Sequence, residues 1–235
     1  MLLRRVIEHV KAQNWTAVAL DFVIVVVGVF IGIQVSNWNA ARADRETERV
    51  ILERLRSDFV QIVETESHYL ETVEAAASGA EALLDAAAND RLPAETASLC
   101  KLMASPRAFR PPPPPSATYE QLVANGDMRL ITDETLRLEL AEFESQRSQH
   151  SVSFGTAMAT VLALSRTFWT AVDICDASLR APDSRFGMRV SEIVASPEFA
   201  GAVSGILTQH GNAERAHRAT KEQAERVLSF LAEAE

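Results

Sequence analysis

Only two cysteines occur among the 235 residues, Cys100 and Cys175, and neither stands in a C-x-x-C pair or beside histidines. That excludes a zinc ribbon and a dithiol redox motif. An even pair leaves two states open: one disulfide, if the compartment is oxidising, or two buried thiols. Glycines number nine, and none falls in a phosphate-cradling loop; no Ser or Cys stands in a nucleophile motif. Basic residues are outnumbered 23 to 32, for a formal net charge of −9. No positive field is left to displace counterions, so nucleic acid is excluded as a partner. Strand-like alternation is missing as well, which points to an all-α chain.

What is present begins with "DFVIVVVGVFIGIQVSNWN", residues 21–39. From Ala17 to Val35 only Asp21 and Gln34 interrupt the apolar run, and a bilayer core needs about 20 such residues in a helix. Trp15 and Trp38 bracket the run, separated by roughly 35 Å in a helix, which suits tryptophans anchored at the two membrane interfaces. The spacing predicts a transmembrane helix over residues 15–38. Ala41-Arg42-Ala43 imitates a signal-peptidase site, but the apolar region is long for a signal peptide. Ahead of the span, Leu2, Leu3, Val6, Ile7 and Val10 recur at helical spacing among Arg4, Arg5, Glu8 and Lys11. Residues 1–14 therefore read as an amphipathic helix on the membrane surface. Three basic residues before the span and a long acidic body after it place the N-terminus in the cytoplasm and the body outside, in the periplasm of a bacterium with this inner-membrane anchor.

On a helical wheel Asp21, Gly28 and Gly32 fall within about 40° of one another, with Val25 close by. Small residues four apart let a second helix approach closely, and an ionisable group in a span faces protein or water in preference to lipid. The stripe is a candidate contact face for a homo-oligomer or a membrane-protein partner. The other reading has Asp21 reaching the interface and the glycines incidental.

Beyond the span, Leu52, Leu55, Phe59, Ile62, Glu66, Tyr69, Val73, Ala76, Ala80, Leu83 and Ala87 alternate spacings of three and four, a heptad seam. Asn89, Asp90 and Pro93 end it. A short helix follows over 94–103, and Arg110–Pro115, "RPPPPP", is a stiff extended connector. Ser116 or Thr118 caps the next helix, Gly126 terminates it in a left-handed residue, and Thr132 caps the one after. That helix repeats the seam through Leu136, Leu140, Phe143, Arg147, His150, Phe154, Ala157, Val161, Leu164 and Phe168. Pro182 and Gly187 interrupt, and Ser196-Pro197 starts a last long helix through Phe199, Val203, Ile206, Ala213, Thr220, Ala224, Val227 and Leu231. The expectation is an all-α fold: the transmembrane helix continues into an antiparallel bundle over residues 39–235, with short helices between the long ones. Glu66, Arg147 and His150 are the polar members of the seams. They form either a buried polar layer or the seams' wet edge.

Metal chemistry has little support at this level. Glu214-x-x-His217 has the spacing used in carboxylate-bridged di-metal bundles, but those need the motif twice, and a second copy is absent. Glu64 and His68 share a helix face in the manner of solvated surface pairs. No catalytic residue, metal or cofactor is expected, and the chain does not read as an enzyme.

Two segments resemble a known family. "VVVGVFIGIQVSNWN", with an acidic residue seven positions before Gly28, is similar to the N-terminus of a family of uncharacterised bacterial single-span membrane proteins, a domain of unknown function. "TYEQLVANGDMRLITDETLRLEL" resembles that family's second signature through Thr118, Tyr119, Leu122, Gly126, Leu130, Ile131, Leu136 and Arg137. Asn125 stands where Ser is expected. The resemblance implies an inner-membrane protein with a helical extracytoplasmic domain and implies no activity. The leading function is a membrane-anchored scaffold or interaction protein. The alternatives are a proton-coupled stator-like subunit using Asp21, or a sensory bundle signalling through a partner.

Overall fold

The computed structural model describes residues 15–180 and 184–233; the surface helix expected over 1–14 lies outside them. Among the described residues seven helices follow in order: α1 (Trp15–Ala88), α2 (Thr96–Ala104), α3 (Ala117–Asn125), α4 (Glu134–Leu164), α5 (Arg166–Arg180), α6 (Ser184–Val194) and α7 (Pro197–Glu233). Single 3₁₀ turns fill Ser105–Arg107 and Asp127–Leu130, and there is no strand among the described residues. The fold is all-α, as the period of the sequence requires.

The chain divides into two compact units, Met1–Val50 and Ile51–Glu235. In the first, α1 is long and apolar enough to cross a membrane. Its apolar side chains are bare: Leu20, Phe22, Ile24, Val25, Phe30 and Trp38 are each about three-fifths exposed. The helix stays exposed through residue 47, and Ile51 is its first buried side chain. The compact body thus starts a few turns after residue 39.

In the second unit, two apolar clusters hold the helices together. One gathers Leu55, Phe59 and Ile62 of α1 with Leu136, Leu140 and Phe143 of α4 and Val227 and Leu231 of α7. Within it Phe59 and Phe143 meet edge-on, with ring centroids 4.8 Å apart. The other gathers Ala80 and Leu83 of α1, Val161 of α4, Phe168, Val172 and Cys175 of α5, and Phe199, Val203 and Ile206 of α7, with α2 and α6 packed against them. Along α1 and α4 the clusters succeed each other in the same order, and along α7 in the reverse order. So α7 runs antiparallel to both, while α1 and α4 run the same way. Residues 89–133 carry the chain back between them.

That return is made by chain ends whose chemistry is plain. Asp90 takes a left-handed φ of 52°, and Asn89 and Arg91 both bond the Asp85 side chain (2.8 and 2.6 Å). Ser116 accepts from the Tyr119 N–H as the cap of α3 (3.1 Å) and donates to Asp58 on α1 (2.8 Å). Gly126 closes α3 at φ +72°, a conformation that costs glycine nothing. Gly79 has a different reason to be glycine: a Cβ there would overlap the Ser105 side chain.

Three expected boundaries move. The cap of α4 is Asp133, which accepts from the Thr135 and Leu136 N–H groups (2.7 and 3.1 Å); a carboxylate outcompetes the Thr132 hydroxyl at a helix N-terminus. The seam through Phe168 is broken at Ser165, whose buried hydroxyl donates to the Ala202 carbonyl (3.3 Å), so α4 ends at Leu164 and α5 turns away. Gly187 lies inside α6 and does not interrupt it.

Candidate functional site

Between the two apolar clusters lies a polar layer made of Glu66 on α1, His150 on α4, and His217 and Thr220 on α7, all buried. His217 Nδ1 is 2.7 Å from Glu66 Oε2, and its Nε2 is 3.2 Å from the Arg110 carbonyl. A carbonyl only accepts, so Nε2 carries a hydrogen. The Nδ1–Oε2 bond must then hold one proton, and the pair is neutral overall whichever partner keeps it. Glu66 Oε1 is buried with no hydrogen-bond partner. Burial pushes the Glu66 carboxyl up, against the hydrogen bond and charge of His217, which pull it down.

His150 packs edge-on against His217, with ring centroids 4.6 Å apart, and its Nδ1 is 3.2 Å from Thr220 Oγ1. The Thr220 hydroxyl already donates to the Ala216 carbonyl (2.9 Å), so it accepts from His150 Nδ1–H. In the neutral ring this leaves the lone pair on Nε2. Burial, reinforced by His217, lowers its pKa to about 4. The ring also borders a cavity of about 50 Å³ between α4 and α7, walled by Phe154, Ala157, Asn212 and Ala213 among others.

The proline connector closes this layer from outside. An extended proline run has no internal hydrogen bonds and few N–H groups, so its carbonyls are open acceptors. Two basic side chains use them, His217 on Arg110 O and Arg147 on Pro113 O at 3.5 Å, while His210 bonds the Pro106 carbonyl in the preceding 3₁₀ turn at 2.8 Å. His210 is fully buried, stacked on Phe109 at 4.3 Å, with Nδ1 unpartnered. Burial lowers its pKa, and the Pro106 carbonyl partly offsets that.

The expected polar trio is thus corrected in one member. Glu66 and His150 meet, but Arg147 does not join them: its guanidinium is held by Glu144 one turn away at 2.5 Å, and its long arm reaches the connector. His217 takes its place. The signal was in α7, where Val203, His210, His217, Ala224 and Leu231 recur every seven residues, which makes both histidines seam positions. Glu214 has no part in the layer; it pairs with Arg218 at the surface (2.7 Å). Glu64 and His68 are exposed on α1.

The cysteines are bonded: Cys100 on α2 joins Cys175 on α5, Cα atoms 5.4 Å apart and 75 residues apart in sequence. In the first unit Asp21 and Val25 are exposed, and Gly28 and Gly32 have open space where a Cβ would point. Trp15 is the first residue of α1. Among known proteins there is no guide: no family model, no curated protein and no solved structure matches the chain.

Proposed function

We propose that the protein is a single-span membrane protein that acts by assembly: the apolar stretch of α1 crosses the bacterial inner membrane, the body lies in the periplasm, and the span binds a second membrane helix. The observation that carries this reading is the stripe of Asp21, Val25, Gly28 and Gly32 on an exposed stretch whose other residues are apolar but for Gln34, with open space at both glycines. A disulfide inside the body favours an oxidising compartment, and the two family-like signatures point the same way. The occupant of the stripe is taken to be a second copy of this chain.

The test is crosslinking of the full chain in membranes, with Gly28→Leu and Gly32→Leu. Leucine is as lipid-compatible as glycine, so insertion should survive while close helix approach fails and the crosslinked dimer is lost. An unchanged dimer in the double variant would refute the contact face. The cavity beside His150 favours one secondary reading, a sensory bundle whose ligand state is passed to a partner. A stator-like role using Asp21 finds less support, because such subunits typically carry a mixed α/β domain and no strand occurs among the described residues.

A further inference from the structure

We propose that Glu66, His150 and His217 form a binding site for one divalent transition-metal ion of the borderline class, such as zinc, with a fourth position open to solvent. The assembly role above does not predict it. One donor atom of each residue lies within 4.8 Å of the others, and all three residues are buried. A zinc ion bonded at about 2.1 Å sets donor spacings near 3.4 Å, so closure asks for roughly 1 Å of side-chain movement.

Three features distinguish the cluster from an ordinary buried pair. Glu66 Oε1 is a buried acceptor without a partner, which is costly unless something binds it. Each imidazole uses one ring nitrogen on an outer acceptor, His217 on the Arg110 carbonyl and His150 on the Thr220 hydroxyl. That outer acceptor is the arrangement that fixes ring and tautomer around a metal. The third feature is a cavity of about 50 Å³ that His150, alone of the three, lines; it has room for water next to the cluster. Two imidazoles, one carboxylate and a water make a donor set suited to zinc, with a protein-ligand count that leaves one position open. On binding, the proton held between His217 Nδ1 and Glu66 Oε2 leaves to solvent, and His217 Nδ1 and the Glu66 carboxylate, whose Oε1 thereby gains a partner, become ligands.

The experiment uses the full chain, purified in detergent without reductant so that the cysteines stay bonded, and stripped with a chelator. Zinc is titrated calorimetrically and cobalt by its visible absorption. We expect one ion per chain, cobalt bands of a low-coordinate nitrogen–oxygen site, and a melting temperature that rises with free zinc. Thr220→Val, which removes only the outer acceptor of His150, should weaken zinc binding about 10- to 100-fold. Glu66→Gln should weaken it further, and His68→Asn, an exposed histidine, should leave it unchanged. Should Glu66→Gln fail to fold, Thr220→Val decides. No saturable binding by the wild type, wild-type affinity in Thr220→Val, or loss of binding in His68→Asn would each overturn the proposal. Dimer crosslinking through the span would be untouched by any of these.

Discussion

His210 shows how much one buried side chain can decide. Its Nε2–H is committed to the Pro106 carbonyl, Phe109 covers its face, and Nδ1 has no partner. Protonating Nδ1 would place an unpaired charge in an apolar cluster, which is why burial holds the pKa below its usual 6.5. In the unfolded chain the same imidazole takes its proton at about pH 6.5. Below that pH the unfolded state binds more protons than the folded one, so stability falls as pH drops from about 6.5 toward the depressed folded value, and is fully present above. Melting temperatures of the full chain should therefore decline between neutral pH and pH ~5. His210→Gln, uncharged at every pH and able to donate to Pro106, should show a shallower decline. His150 acts in the same direction, so some slope remains. An identical acid slope in the variant would mean that His210 titrates alike in both states.

At the scale of elements, the disulfide ties α2 to α5 across the second apolar cluster. By chain-entropy reasoning a closed loop of this length stabilises by about 4 kcal/mol. On a non-reducing gel the monomer should run faster than the reduced chain, and reduction should lower the melting temperature. Full alkylation without reductant would show thiols instead. The connectivity of this bond was open in the sequence only as a pair, because spacing alone does not say whether two cysteines meet. Much else at this scale was legible: the end of α1 at Asn89-Asp90, Ser116 and Gly126 around α3, and Ser196 before α7 follow from local rules that act within four residues. What was hidden depends on distant partners. Ser165 looks like any residue beside the seam until the Ala202 carbonyl offers it an acceptor, and Gly79 looks incidental until Ser105 is packed on it. His217 was visible as a heptad position, yet a histidine is as common on a wet face as in a core. Arg110 O and Glu66, which bury it, arrive from 107 and 151 residues away.

For the whole molecule the proposed span leaves open which side of a membrane holds the body. Charge beside the span does not decide it, since Arg4, Arg5 and Lys11 precede the apolar stretch and Arg42, Arg45 and Arg49 follow it. The long C-terminal region carries 20 basic and 30 acidic residues beyond residue 39. Long domains cross largely regardless of charge, so the proposed topology gives the three basic residues ahead of the span the greater weight, with that end inside. Sulfur chemistry supplies an independent argument, because the cytosol keeps thiols reduced and Cys100–Cys175 is bonded. A phosphatase that folds only under oxidising conditions, fused after residue 233, should be active, and a β-galactosidase fused there should be inactive. The same pair fused directly after Ala43 should give the same pattern, since the stretch has already crossed by then. A reversed pattern at both positions would put the body in the cytoplasm, and the cysteines would then be expected to alkylate freely. An oxidised body with a reversed reporter pattern would leave the sulfur argument wrong and the compartment cytoplasmic. The two readouts therefore have to agree for the topology to stand.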